Sequence, residues 1–168
     1  IYSEYKRIDI LIISSGKAYG GLFSATSTTL LEEALQHNFI SEIRLSQVCS
    51  RYMMKKKRGS IVFLSSSVSY SSDIGTLSYG CTKAALNFAV PVIARELSSY
   101  GIIVNAIAPG VVDTPMLDQM SSQSIKDHLD RSSDKRLCSP FEVASLAYFL
   151  SVDSGHLTGQ IIRLDGGQ

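Results

Sequence analysis

The sequence predicts an α/β domain, a parallel sheet with helices on both faces, and three observations carry that reading. Four short runs rich in β-branched residues punctuate the chain, at residues 8–13, 60–64, 102–107 and 160–164. None alternates apolar with polar residues, so each reads as a strand buried on both faces. Segments of helical period separate them, and strand, helix, strand, helix, strand, helices, strand is the order of right-handed crossovers.

The first helical segment, residues 28–57, carries Leu31, Ala34, Leu35, Leu45 and Cys49 on one stripe. It ends in Lys55-Lys56-Lys57-Arg58 just ahead of Gly59. Cations there complement the helix macrodipole, so the basic run reads as a helix C-terminus rather than a nucleic-acid patch. The second segment, residues 79–100, carries Leu86, Val90, Ile93, Ala94 and Leu97. Pro91 lies inside it and removes the hydrogen bond to the Asn87 carbonyl, which costs about 3 kcal/mol unless the helix bends. A third region, residues 116–150, holds two shorter helices broken near Ser139-Pro140. In sheets of this type ligands collect where loops leave the carboxyl ends of the strands, and those loops begin here at Ser14, Ser65 and Ala108.

At 168 residues the chain is long enough for one domain with a sizeable core. Charged residues make up 18%, below the ~25% of ordinary soluble domains, and 27 serines fill the gap rather than a membrane-type apolar excess. A net charge of +1 offers no field for a polyanion, so no nucleic-acid partner is expected. No apolar run approaches the ~18 residues of a spanning helix, so no membrane partner is expected either. Cys49, Cys81 and Cys138 are odd in number and lack metal-ligand spacing. That favours a reduced, cytoplasmic setting with no metal. His37, His128 and His156 stand beside no recognisable ligand pattern and receive no role.

The strongest chemical signal is Tyr79-Gly80-Cys81-Thr82-Lys83 at a helix start. A spacing of four places Tyr79 and Lys83 on one face, one turn apart. A phenol with a pKa near 10 is a poor base alone, and a nearby ammonium favours the phenolate. Ser66 follows the second strand, in position to face the phenol across a substrate oxygen. Asn38 falls on the apolar stripe of the preceding helix, where a buried amide needs partners and an ordered water is one candidate. Each residue taken singly has an ordinary structural reading: a chance pair, a turn hydroxyl, a satisfied core amide.

Taken together, these residues resemble the short-chain dehydrogenase/reductase family over nearly the whole chain, from its fourth strand to its C-terminus. Tyr79 and Lys83 match its Tyr-x-x-x-Lys pair, Ser66 its serine thirteen residues earlier, and Asn38 its helix asparagine. The segment Asn105-Ala106-Ile107-Ala108-Pro109-Gly110-Val111-Val112-Asp113-Thr114 is similar to the loop that closes over nicotinamide. The tail, residues 157–167, is similar to the family's last strand and its ending.

The resemblance implies the C-terminal part of a Rossmann-like doubly wound sheet and an NAD(P)-dependent oxidoreductase that interconverts a ketone and a secondary alcohol. The expected cofactor is NADP or NAD. It implies that Tyr79 is the acid/base, that Lys83 lowers the Tyr79 pKa and binds the nicotinamide ribose, that Ser66 orients the carbonyl, and that Asn38 holds a relay water. Ser14, Ser15, Gly16, Pro109, Gly110, Val112 and Thr114 would complete the cofactor site. The substrate expected is a small carbonyl, alcohol or acyl thioester, with 3-oxoacyl carrier-protein reductases the nearest subclass. Met116, Leu117 and Met120 are candidates to line its pocket. The family's pairing mode implies a homodimer or homotetramer built through residues 28–57 and 79–100.

The sequence departs from the family in three places. No Gly-rich turn precedes residue 8, which implies about seventy further residues upstream in an intact protein. These 168 residues alone would leave one edge of the first strand and its apolar surface open. Ile13-Ser14-Ser15-Gly16 stands where the family has Asn-Asn-Ala-Gly, and Pro91 interrupts the Tyr79 helix two turns beyond Lys83. A catalytically silent subunit serving oligomer assembly is the alternative those departures suggest.

Overall fold

The computed structural model describes residues 2–168. Four parallel strands form one sheet in the order β1 (Ile10–Ile13), β2 (Gly59–Leu64), β3 (Ile102–Pro109), β4 (Ile161–Leu164). The helices are α1 (Tyr2–Tyr5), α2 (Thr28–Leu35), α3 (Ser41–Lys56), α4 (Leu77–Leu97), α5 (Ser122–Arg131) and α6 (Pro140–Tyr148). All four predicted strands are present, and the region after β3 divides at Ser139-Pro140 as expected. Ser139 caps α6 there through a reciprocal capping box with Glu142.

Strand alternation sends side chains to two cores. Ile13, Ile61, Phe63, Val104 and Ala106 pack with Met53 of α3 and with Leu86, Val90 and Ala94 of α4. On the opposite face Val62 and Ile107 pack with Ala147 and Leu150 at the end of α6. The two central strands are therefore buried on both faces. Strand β1 is not: Ile10 and Ile12 are 44% and 45% exposed, because β1 forms one edge and no helix of the described residues covers that part of the α6 side.

Helices α2 and α3 run together through a π-helical turn, Gln36–Ile40. That turn corrects the predicted stripe. A π turn takes up an extra residue and rotates the next turns of helix about the axis. The buried positions become Ala34, Asn38, Glu42, Ser46, Cys49, Ser50 and Met53, so Ala34 and Cys49 of the predicted stripe stay inside. Leu45, placed inward by a 3.6-residue period, instead faces out at 47% exposure.

Helix α4 continues through Pro91, and the backbone of Gly159 approaches it there: a Cβ on Gly159 would lie 3.5 Å from the Pro91 Cα. The turn into β3 depends on Gly101, at φ +65° and so close to the Lys57 carbonyl oxygen that a Cβ would lie 2.5 Å from it.

Candidate active site

The site assembles at the carboxyl ends of β1, β2 and β3, around the first two turns of α4. Lys83 is its centre. The side chain is 2% exposed, and Nζ donates to the Leu64 carbonyl at 2.8 Å and to Glu42 Oε1 at 3.4 Å. The same Nζ lies 5.9 Å from the centroid of the Tyr79 ring, so the one-turn spacing does bring ammonium and phenol onto one face. Pro91 leaves that geometry intact.

Ser66 ends the β2 loop and caps a short turn, its hydroxyl accepting from the Val68 N–H at 3.3 Å. A hydrogen-bond chain fixes this turn to α4. Ser65 Oγ donates to Asn87 Oδ1 at 2.6 Å, Asn87 Nδ2 donates to Ser69 Oγ at 2.7 Å, and Ser69 Oγ donates to the Ser66 carbonyl at 2.5 Å. Tyr79, Lys83 and Asn87 fall at i, i+4 and i+8 along α4. The sequence reading missed Asn87, although that spacing was available to find it.

Asn38 is fully buried, and two of its hydrogen bonds go to the loop after β1. Both ends of its amide engage the backbone of Lys17: Oδ1 accepts from the Lys17 N–H at 2.9 Å and Nδ2 donates to the Lys17 carbonyl at 2.8 Å. The loop after β1 is thereby drawn over the site. Gly16 comes so near that a Cβ on it would lie 3.9 Å from Asn38 Oδ1 and 4.0 Å from Lys83 Nζ. Ser14 and Ser15 are exposed beside it.

The electrostatics of the free chain run against one expectation. Burial raises the Tyr79 phenol above its ordinary range; the Ser66 hydroxyl works the other way, and the negative charge of Glu42 adds to the rise. The ammonium of Lys83 is paired with Glu42, which the sequence reading passed over. Burial pulls the Lys83 ammonium below the usual lysine range, against the pull of Glu42. Burial also raises Glu42 to about 7, against the pull of Lys83.

Beyond β3, Pro109 closes the strand and the Gly110 N–H donates to the Leu164 carbonyl at 3.0 Å. A Cβ on Gly110 would sit 3.1 Å from the Asp165 Cα, so a residue without a side chain fits there. Val112 bridges to Cys138, yet its own half-buried N–H has no acceptor among the described residues. Thr114 precedes the turn Pro115–Gln119, and its Oγ1 donates to the Val112 carbonyl at 3.4 Å. These groups suit a nicotinamide cofactor: an open loop at Gly16, a lysine ammonium with donor capacity to spare, and an unpaired N–H for a carboxamide oxygen. A cleft of about 680 Å³ opens beside the start of α4, lined by Leu22, Phe23, Val68, Ile74, Leu77 and Cys81. Met116, Leu117 and Met120 do not line it.

Comparison with known proteins fixes the family. A family model described as enoyl-(acyl carrier protein) reductase matches residues 1–168. The 3-oxoacyl-(acyl-carrier-protein) reductase FabG of Aquifex aeolicus is 33% identical over 168 residues, covering 99% of this chain and 68% of the relative. The chain belongs to the short-chain dehydrogenase/reductase family. It is thus an NAD(P)-dependent oxidoreductase by family. Among solved structures, the 3-oxoacyl-(acyl-carrier protein) reductase of Brucella melitensis superposes with a TM-score of 0.89 at 26% identity, covering 95% of this chain and 62% of that one. A 7α-hydroxysteroid dehydrogenase complexed with NADH and 7-oxo glycochenodeoxycholic acid superposes with a TM-score of 0.91 at 27% identity, covering 99% and 66%. No helix among the described residues is long and apolar enough to cross a membrane.

Proposed function

We propose that the chain interconverts a ketone and a secondary alcohol with Tyr79 as the acid/base, and that its substrate class is the 3-oxoacyl thioester. The observation that supports this is the Tyr79 ring 5.9 Å from the buried Lys83 ammonium, with the Ser66 hydroxyl acting on the phenol. When bound, the nicotinamide supplies hydride to, or accepts it from, the carbonyl carbon. In reduction the Tyr79 hydroxyl gives its proton to the carbonyl oxygen, and in oxidation the phenolate takes it back. The raised proton affinity of the half-buried phenol favours its donor form at neutral pH. Ser66 donates a hydrogen bond to the same oxygen and aligns it. Lys83 holds ribose hydroxyls, Asn38 fixes the Lys17 loop above it, and the Val112 N–H takes the carboxamide. Gly16, with Ser14 and Ser15, lets the loop approach the dinucleotide, and Thr114 faces its phosphates. Identity of about a third with a 3-oxoacyl reductase supports the thioester over a sterol.

Assembly belongs to the same proposal. Phe88 and Val92 on α4 are 77% and 40% exposed, and Leu45 and Val48 on α3 are 47% and 49% exposed. Such faces suit pairing with a second copy of the chain.

The test is reduction of an acetoacetyl thioester by NADPH or NADH in the parent and in Tyr79→Phe. A loss of at least about a hundredfold in kcat, with folding intact, is expected. Unchanged turnover removes Tyr79 from the acid/base role. Sedimentation of Phe88→Asp tests assembly, and an oligomer that survives the charge overturns this face as the interface.

A further inference from the structure

Glu42 is a fully buried acid that the proposed reaction leaves without a task. It lies one turn past Asn38 on the same buried face and is 1% exposed. Its Oε1 meets Lys83 Nζ at 3.4 Å, while Oε2 has no hydrogen-bond partner among the described residues. The titratable groups facing it are Lys83 and Tyr79, both from α4. Strands β1, β2 and β3 carry no titratable side chain, so nothing from the sheet competes.

We propose that Glu42 is a positioning residue for Lys83: it holds the ammonium against the Leu64 carbonyl, and its charge sets how far that ammonium favours the Tyr79 phenolate. The inference rests on the reading of Tyr79 as the acid/base and deepens it. A buried carboxylate with one bare oxygen is a poor counter-ion by the usual rule that buried charges are fully hydrogen-bonded, so its protonation state responds to small changes around it. When Glu42 is neutral, the phenol faces an uncompensated cation. When Glu42 is ionised, the phenol faces a matched pair, and the push toward phenolate is largely cancelled. Its value of about 7 puts this change in the neutral range, well before the phenol itself ionises. As the pH rises, Glu42 therefore keeps Tyr79 in its proton-donating form, which biases the site toward carbonyl reduction.

The experiment is an ultraviolet tyrosinate titration of the chain, with Tyr79 isolated as the difference from Tyr79→Phe. It is repeated with Glu42→Gln and Glu42→Asp. Glu42→Gln is expected to lower the Tyr79 midpoint by about one pH unit or more, and Glu42→Asp to leave it within about half a unit of the parent. A midpoint that stays or rises in Glu42→Gln overturns the proposal. The basic limb of NADPH-dependent acetoacetyl-thioester reduction moves down in step in Glu42→Gln and is rescued in Glu42→Asp. Should Glu42→Gln not fold, carbon NMR of the Glu42 carboxyl in the parent is decisive. A Glu42 step near neutral followed by a second, smaller response at the Tyr79 midpoint, absent in Tyr79→Phe, supports the proposal, and a Glu42 signal that does not respond at that midpoint overturns it. The two readings fail separately. Full turnover in Tyr79→Phe sinks the acid/base reading, whereas a dead Tyr79→Phe beside an unmoved Glu42→Gln profile sinks only the role of Glu42.

Discussion

Asn38 grips the backbone of Lys17 with both ends of its amide, at 2.9 Å and 2.8 Å, across 21 residues of chain. These two bonds use one donor and one acceptor of the amide and hold the Gly16 loop against Lys83, leaving one N–H and one lone pair free. Asn38→Asp keeps the acceptor and loses the donor, and Asn38→Ala loses both. Urea midpoints should fall in the order parent, Asp, Ala, with Ala costing about 1–3 kcal/mol. The Michaelis constant for NADPH should rise in the same order while Tyr79 stays in place. An Asn38→Ala chain of parental stability would mean that the loop holds itself.

The 3.4 Å pair of Lys83 and Glu42 makes a second prediction about removal of one partner. Lys83→Met leaves a carboxylate in a site with 1% exposure and no counter-ion, which destabilises by about 3–5 kcal/mol where Glu42 is ionised. Adding Glu42→Leu should recover most of that loss, because an apolar pair of similar volume replaces a buried ion pair at little cost. Urea unfolding near pH 8 of the two single variants and the double variant measures the coupling. Additive losses would show that the two side chains are energetically independent.

How stability depends on pH is set by the raised value of Glu42. The folded chain holds the Glu42 proton up to about 7, against an ordinary value of 4.5. Below about pH 4.5 both states are protonated and the contribution is fully present; it is lost as the pH rises through about 7. Lys83, shifted down, acts in the opposite sense and only at higher pH, below its ordinary 10.5. Urea midpoints should therefore decline from acid toward neutral pH in the parent, and Glu42→Gln should flatten the decline. A flat parental profile would place Glu42 at an ordinary value.

Much of this was legible in the sequence because the signals were local. The four strands are continuous apolar runs, and the Tyr79–Lys83 spacing survives any rearrangement short of unwinding α4. What the sequence hid depends in part on one extra residue in a helical turn: a uniform 3.6-residue period puts Leu45 within the stripe, and past the π turn it faces out. Glu42, four residues past Asn38, lies on the buried face, but nothing local to it points to Lys83, 41 residues along the chain. The lowering expected for Tyr79 is outweighed by burial, with Glu42 adding to the rise, and a pairwise argument about Tyr79 and Lys83 includes neither. The Lys17 contacts of Asn38 were hidden because the loop conformation that brings the backbone there carries no sequence pattern.

Asp73 and Arg131 join the loop before α4 to the last turn of α5. The guanidinium is bidentate, NH1 to Oδ1 at 2.5 Å and NH2 to Oδ2 at 3.0 Å, and the Arg131 charge lowers the Asp73 carboxyl below its usual range. The side chains are 46% and 32% exposed, so the pair should contribute less than about 1 kcal/mol to global stability. Its local effect is larger, because α5 buries no residue of its own and has little else to hold it down. Asp73→Asn should leave the urea midpoint of the whole chain nearly unchanged while amide exchange across residues 122–131 accelerates several-fold. High salt should produce the same acceleration in the parent and none in the variant, since screening can only weaken an ion pair that is present. Equal exchange in α5 for the parent and the variant would mean that packing against the strand loops, rather than this pair, holds the helix.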